Sequence, residues 1–373
     1  MLFPQRVKIA ALLFGLLPVL SQADVGLGLP SVETSPERLV ELGKKLFFDR
    51  RLSVNNTLSC AMCHIPEQGF AQNQLATPVG LEGRVLKRNS PSLLNVRYRQ
   101  SLFHDGREYS LVNQVWSPLL SEREMGNLSI GMVIGRLKEL DNYSAEFAEI
   151  LGDIDAVTIG EALAAYQQSL IAGDSPFDRW YFGGDELAVE EAVKQGFILF
   201  QEKGCIACHQ LGDKTALFTD HSFRNTGIGY EQSMSLKPGQ RTIRLTDTVT
   251  IQTDVRFEGD VHNDLGRYEV TGEPEDRWRY RTAGLRNIAL TAPYMHDGSI
   301  SSLSAVLEFY SNGGISNPGL DPLVKPFSLT SAEAEEMIVF LNSLTSSHIP
   351  RIIKSTRGSA ARANSETELD NRQ

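Results

Sequence analysis

Apolar side chains recur at helical spacing in four stretches of this chain, and they rarely alternate as strands require. The first stretch is SPERLVELGKKLFF, where Ser35 as N-cap and Pro36 at the first helical position predict a helix reaching about residue 48. The second covers about 156–172, AVTIGEALAAYQQSLIA. A third, ELAVEEAVKQGFILFQEKG over 186–204, is amphipathic. The fourth, TSAEAEEMIVFLNSL, opens with Thr330 and Glu333 in capping-box register. Short strands are expected only near 242–257. Between the second and third stretches, GDSPFDRWYFGGD (173–185) is rich in Gly, Pro and Asp and reads as a domain boundary. Residues 350–373 are polar with little periodicity and read as a disordered tail. The fold class predicted is mainly α, with few strands and two domains at 24–174 and 175–349.

The N-terminus follows another pattern. Arg6 and Lys8 precede the apolar run IAALLFGLLPVL, and Ser21 and Ala23 then provide small residues. That combination marks a secretory signal peptide, here residues 1–23. The run is shorter than the roughly 20 residues a membrane span needs, and no later stretch is apolar enough. The expectation is a soluble chain exported to the periplasm without a membrane span. The formal net charge is −10, and loss of the leader removes two basic residues and no acidic one. Such a balance argues against nucleic acid as a partner and is compatible with a neutral or basic protein.

The cysteines change the picture most. There are four, Cys60, Cys63, Cys205 and Cys208, in CAMCH (60–64) and CIACH (205–209). Export alone would suggest disulfides, but C-x-x-C-H is the attachment pattern of c-type haem. Two thiols add across the two vinyl groups of one porphyrin, and the next residue places an imidazole on the iron. A zinc ribbon also uses paired C-x-x-C but has no need of a histidine after each. A thioredoxin-type motif would occur once, in a βαβ context. Two covalent haems are therefore predicted, with His64 and His209 as proximal ligands.

A phrase is also written twice: LFHDGREYSL (102–111) and YMHDGSISSL (294–303). Aligning His104 with His296, a shift of 192, also pairs Leu93 with Leu285, Asn95 with Asn287, Asp105 with Asp297, and Gly106 with Gly298. The haem motifs lie 145 apart, so the second half carries 47 extra residues. This reads as a duplicated haem domain with an insertion in the second copy, not as a short-period solenoid.

With these motifs the chain resembles the bacterial di-haem cytochrome c peroxidases, including their MauG branch. The resemblance spans nearly all of the chain after the leader. Both C-x-x-C-H motifs carry it, with RNSPSLLNV (88–96), FHDGR (103–107), Gln114 with Pro118, EMG (124–126), LRNIALTAPYMHDGS (285–299) and the Phe309–Tyr310 pair. It implies two cytochrome-c-like helical domains, each with one haem c, and a calcium ion between them. It implies peroxide reduction at the first haem, with the second passing electrons. The family's sixth ligand to the second haem falls on Tyr310, where typical peroxidases have methionine and the MauG branch tyrosine. Met295 and His296 are competing ligands, although the family pattern has the histidine at 296 hydrogen-bonding near the haem edge.

The repeat-equivalent of Tyr310 in the first half is Pro118, which has no ligating atom. Between His64 and His104 there is no histidine to block the first haem. That haem is thus expected to be open even when oxidised. Gln114 and Glu124 match the distal glutamine and glutamate, with Glu124 as acid–base group. A phenolate ligand favours oxidised iron where a thioether favours reduced iron. The function implied is a MauG-like reaction with hydrogen peroxide whose oxidising equivalents are used on a protein partner. The alternative is a cytochrome c peroxidase supplied with electrons by a small cytochrome or copper protein. A di-haem carrier without catalysis is disfavoured by Gln114 and Glu124. His104 stands where the family usually has tryptophan, with Trp116 as a candidate substitute relay, and Lys203 stands where MauG has a surface tryptophan. Calcium ligands carried over are Asn89, Thr291 and Pro293. Arg107, Arg224 and Asn225 are candidates for contacts to haem propionates.

Overall fold

A computed structural model describes residues 26–235, 241–244, 249–253, 264–356 and 358. The expected signal peptide, residues 1–23, lies outside them. In chain order the helices are α1 (Glu37–Phe48), α2 (Leu111–Gln114), α3 (Trp116–Leu120), α4 (Ile130–Glu139), α5 (Asp141–Ile150), α6 (Ala156–Ser169), α7 (Pro176–Tyr181), α8 (Glu191–Glu202), α9 (Ile228–Ser235), α10 (Tyr268–Thr271), α11 (Leu303–Ser311) and α12 (Ser331–Ser343). The strands β1 (Phe223–Arg224), β2 (Arg241–Arg244), β3 (Thr250–Thr253) and β4 (Tyr280–Arg281) form two antiparallel pairs, β1 with β4 and β2 with β3. The second pair falls where strands were expected. Among the described residues no helix is long and apolar enough to cross a membrane.

Two apolar cores organise the chain. One is built on α1, α3–α6 and the segment around Leu93, the other on α7, α8, α11 and α12. Helix α1 buries Leu42, Leu46, Phe47 and Phe48. It begins one residue later than the sequence suggests: Pro36 is itself the N-cap and no side chain caps the helix. The helix stops at Asp49, whose buried carboxylate accepts from Arg51 Nη2 at 2.7 Å and Tyr143 Oη at 2.8 Å. Helix α6 starts on an Asp155–Thr158 capping box, and α12 on the expected Thr330–Glu333 box.

In each unit the first long helix crosses the last at a glycine. A Cβ on Gly43 would stand 1.7 Å from Ala162 O, and one on Gly196 would stand 2.1 Å from Glu336 O. Only the missing side chain lets these backbones approach so closely. The duplication is legible in the backbone as well. Asn95 and Asn287, 192 residues apart, have φ of 59° and 61°. Bridges Leu102–Glu108 and Tyr294–Ile300 close equivalent tight loops around the two His-Asp-Gly phrases. Each Asp carboxylate accepts from the backbone two residues on, Arg107 N at 3.3 Å and Ser299 N at 3.1 Å.

Two expectations need correction. The break at 173–185 contains α7, closed by a Ser175–Asp178 capping box and with Phe177 fully buried in the second core. The tail expected from 350 is helical through residue 356, because Ile349 and Ile352 pack on the first core and Thr356 is buried. Residues 357 and 359–373 lie outside the described part.

Candidate active site

Each C-x-x-C-H is wound as a tight turn, over Cys60–Met62 and Cys205–Ala207. The histidine N–H closes the turn on the first cysteine's carbonyl at 3.0 Å in both copies. All four cysteines are free. The two pairs line different cavities, so they cannot share one ion, and the zinc-ribbon alternative falls. Burial pushes the Cys60 thiol up to about 12 and those of Cys63 and Cys205 to about 11.

In both units the imidazole Nδ1 meets a backbone carbonyl, Phe70 O at 3.1 Å from His64 and Phe218 O at 2.9 Å from His209. A carbonyl only accepts, so Nδ1 carries the proton and Nε2 keeps its lone pair for a metal. Burial lowers the His64 pKa to about 4 and moves His209 the same way, which keeps both rings neutral. Phe70 and Phe218 hold φ of 55° and 52°, a region uncommon for bulky residues. Both phenylalanines are almost wholly buried, so core packing sustains this geometry and turns their carbonyls to the rings. These donors and paired thiols fit two c-type haems.

The smaller cavity, about 70 Å³, is lined by Cys60, Cys63, His64, Gln114, Pro118 and Glu124. Gln114 ends α2, and Pro118 lies in the first turn of α3, where a missing N–H costs little. Glu124 sits on the turn after α3, its N–H bonded to Ser121 O at 3.0 Å. Burial raises its carboxyl pKa, while a hydrogen bond with Ser121 and the charge of Arg107 partly offset that rise.

The larger cavity, about 360 Å³, is lined by Cys205, Cys208, His209, Met295, His296 and Tyr310, and reaches the first unit at Asn89 and His104. Tyr310 comes from α11, which Ser302 caps. Burial pushes its phenol pKa well up, so the side chain stays neutral unless a cation meets the oxygen. His104 Nε2 hydrogen-bonds Asn89 O at 3.0 Å, and Asn89 N–H donates to His296 O at 2.7 Å, so one residue joins the two repeat histidines. The His296 ring stacks on Tyr280 with centroids 3.5 Å apart. Arg88 ties the units together through Asp105 at 2.6 Å and Asp264 at 2.6 Å.

Thr291 and Pro293 line this cavity, as does Asn89, so the three calcium candidates border the same space. Asn89 Nδ2 donates to Ala76 O at 2.9 Å, and the Ala292–Pro293 peptide is cis. Among the described residues no cluster of three His, Cys, Asp or Glu could hold a metal, which leaves amide and carbonyl oxygens as candidates. Trp116 lines neither cavity: its Nε1–H donates to Ala156 O at 3.2 Å and its ring packs on the first core. Lys203 is in the wall of the larger cavity, 3.5 Å from Glu333.

Of the three candidates for propionate contacts, only Arg224 lines a haem cavity. Arg107 lines neither cavity; it pairs with Asp105 at 3.0 Å and lies over the Phe103 ring. Asn225 is fully buried and spends its amide on Asn317 and on Gly227 N–H. Arg224 does line the larger cavity but is held by Asp220 and Asp321. Sequence reading missed Arg99 and Arg281. Both line the larger cavity, and among the described residues neither has a carboxylate within ion-pair distance. Burial, with the charge of Arg281, lowers the Arg99 pKa to about 9, and burial lowers that of Arg281 to about 10. His221, at φ 58°, joins them, its Nδ1 without a hydrogen-bond partner among the described residues. Buried cations with no carboxylate partner among the described residues would suit an anion in the occupied cavity.

A family model described as di-haem cytochrome c peroxidase matches residues 37–186. The methylamine utilization protein MauG of Methylorubrum extorquens is 37% identical over 316 residues, covering 83% of this chain and 78% of that protein. The cytochrome-c peroxidase IdrP1 of Denitromonas iodatirespirans is 33% identical over 312 residues, covering 82% and 81%. The chain belongs to the di-haem cytochrome c peroxidase family. A solved MauG-like protein associated with microbial copper homeostasis has the same fold, with TM-score 0.66 at 28% identity over 84% of this chain and 91% of that one. As a di-haem cytochrome c peroxidase family member it is a haem peroxidase-type oxidoreductase, and the family assigns it two haem c groups, for which the residues above are suited.

Proposed function

We propose that this protein reacts with hydrogen peroxide at its first haem site and spends the oxidising equivalents on a partner protein. The observation that carries this reading is the difference between the cavities. One joins His64 to Gln114, Glu124 and a non-ligating Pro118, while the other joins His209 to Tyr310. When bound, haem supplies an iron that changes oxidation state. Glu124 takes a proton from one peroxide oxygen and returns it to the other, so that water leaves. The Gln114 amide donates a hydrogen bond to the separating charge. His64 and His209 would hold the haems by Nε2, and Tyr310 would close the second site as a phenolate. Asn89, Thr291 and Pro293 would supply oxygens to a calcium ion in the larger cavity. Export to the periplasm on residues 1–23 belongs to the same reading, as does a neutral or basic protein partner.

Adding hydrogen peroxide to the ferric protein tests it. Lasting absorbance changes without prior reduction are expected. Turnover only after reduction, with a small cytochrome or copper protein as donor, would instead make the protein a cytochrome c peroxidase.

Arg99 and Arg281 provide the missing charge balance: they receive haem carboxylates in the larger cavity. Arg281→Gln removes a cation beside that haem, so its midpoint potential is expected to fall, with the first haem's unchanged. An unaltered second potential in spectroelectrochemistry would remove Arg281 from this role.

A further inference from the structure

Ser90 is 5% exposed and reaches the first site from the side of His64 that faces away from the metal position. Its hydroxyl donates to Cys63 O at 2.7 Å. A serine hydroxyl has a single proton, so toward His64 Nδ1, 3.2 Å away, the oxygen can only accept. The His64 N–H is thus shared between two oxygens, Phe70 O and Ser90 Oγ.

The second site lacks this arrangement. Under the 192-residue shift Ser90 corresponds to Thr282, whose side chain bears on the Asp220 carboxylate and, among the described residues, makes no hydrogen bond to His209 Nδ1. His209 Nδ1 has Phe218 O at 2.9 Å. The carbonyls of Pro91 and Ala283, also equivalent under the shift, face the two imidazoles alike. In hydrogen bonding the hydroxyl is what distinguishes the two imidazoles, while their charged neighbours also differ, Arg99 acting on His64 and Asp220 on His209. An added acceptor on the distal nitrogen of a ligating imidazole makes it a stronger electron donor.

We propose that Ser90 is a positioning residue whose hydroxyl, as an added acceptor for the His64 Nδ1 proton, would make that imidazole the stronger electron donor toward the metal and so favour oxidised iron at the first site. This rests on the reading that peroxide reacts there, and it explains how duplicated domains come to hold unlike metal centres.

The test is Ser90→Ala in the di-haem protein, with Ser90→Thr beside it. Spectroelectrochemistry reads each haem's midpoint potential, and resonance Raman reads the iron–histidine stretch of the reduced first haem. In Ser90→Ala the first potential is expected to rise and the stretch to drop in frequency, with the second haem unmoved. Its peroxide reaction slows by about tenfold, the low end for loss of such a partner. Ser90→Thr restores all three. Unchanged potentials and stretch, or equal shifts at both haems, overturn the proposal. If wild-type protein fails to react with peroxide at the first haem, the functional reading falls, while the potentials still decide the role of Ser90.

Discussion

Glu124→Gln is expected to slow the reaction of the ferric protein with hydrogen peroxide by about 10²- to 10⁴-fold, the usual worth of a placed acid–base group. Glutamine keeps the size of the side chain and loses the proton traffic, so the haem spectrum should not change. The pH dependence follows from the environment of the group. Burial raises the Glu124 pKa above the ordinary carboxylate range, and the ionised form is the base. The wild-type rate should therefore climb as pH rises through that elevated pKa, and the Gln variant should lose this limb. Arg107 acts on Glu124 through its charge, which lowers the carboxyl pKa. Arg107→Gln should move the limb to higher pH without removing it. Stopped-flow rates across the pH range check both; a Gln variant at the wild-type rate would make Glu124 a spectator.

What the sequence revealed of this site has a physical pattern. Covalent attachment leaves a rigid mark, and the two C-x-x-C-H motifs were readable for that reason. The His-Asp-Gly loops were readable because a tight turn needs Asp and Gly at fixed places, with Gly106 and Gly298 at φ of 71° and 67°. Gln114, Pro118 and Glu124 came from family likeness, and the structure brings them to one cavity. The left-handed Phe70 and Phe218 were invisible, since only glycine or asparagine advertises that geometry and here core packing enforces it. Arg99 and Arg281 could not be told from other arginines, because what marks them is a buried place in the larger cavity with no carboxylate beside them among the described residues. The helix at 349–356 was missed since it buries only Ile349, Ile352 and Thr356, too few for a periodic signal.

Tyr310→Met should raise the midpoint potential of the second haem by an amount on the order of hundreds of millivolts, within the roughly 0.8 V that axial ligands command. Burial, with the charges of Cys208 and Cys205, keeps the Tyr310 phenol neutral, so a phenolate there would depend on the iron, and such a bond would be strongest when the iron is oxidised. A thioether reverses that preference. The variant should then accept electrons from a small reduced cytochrome and lose the lasting changes seen on adding peroxide to the ferric protein. Tyr310→Phe separates ligation from packing. It keeps the ring on α11 and removes only the oxygen, so the second haem should become open or recruit Met295 or His296 from the same cavity wall. Electron paramagnetic resonance of the ferric state reports the ligand set directly. If both variants leave that spectrum and the potential as in the wild type, Tyr310 is a core residue, and the two sites differ for some reason other than a phenolate cap.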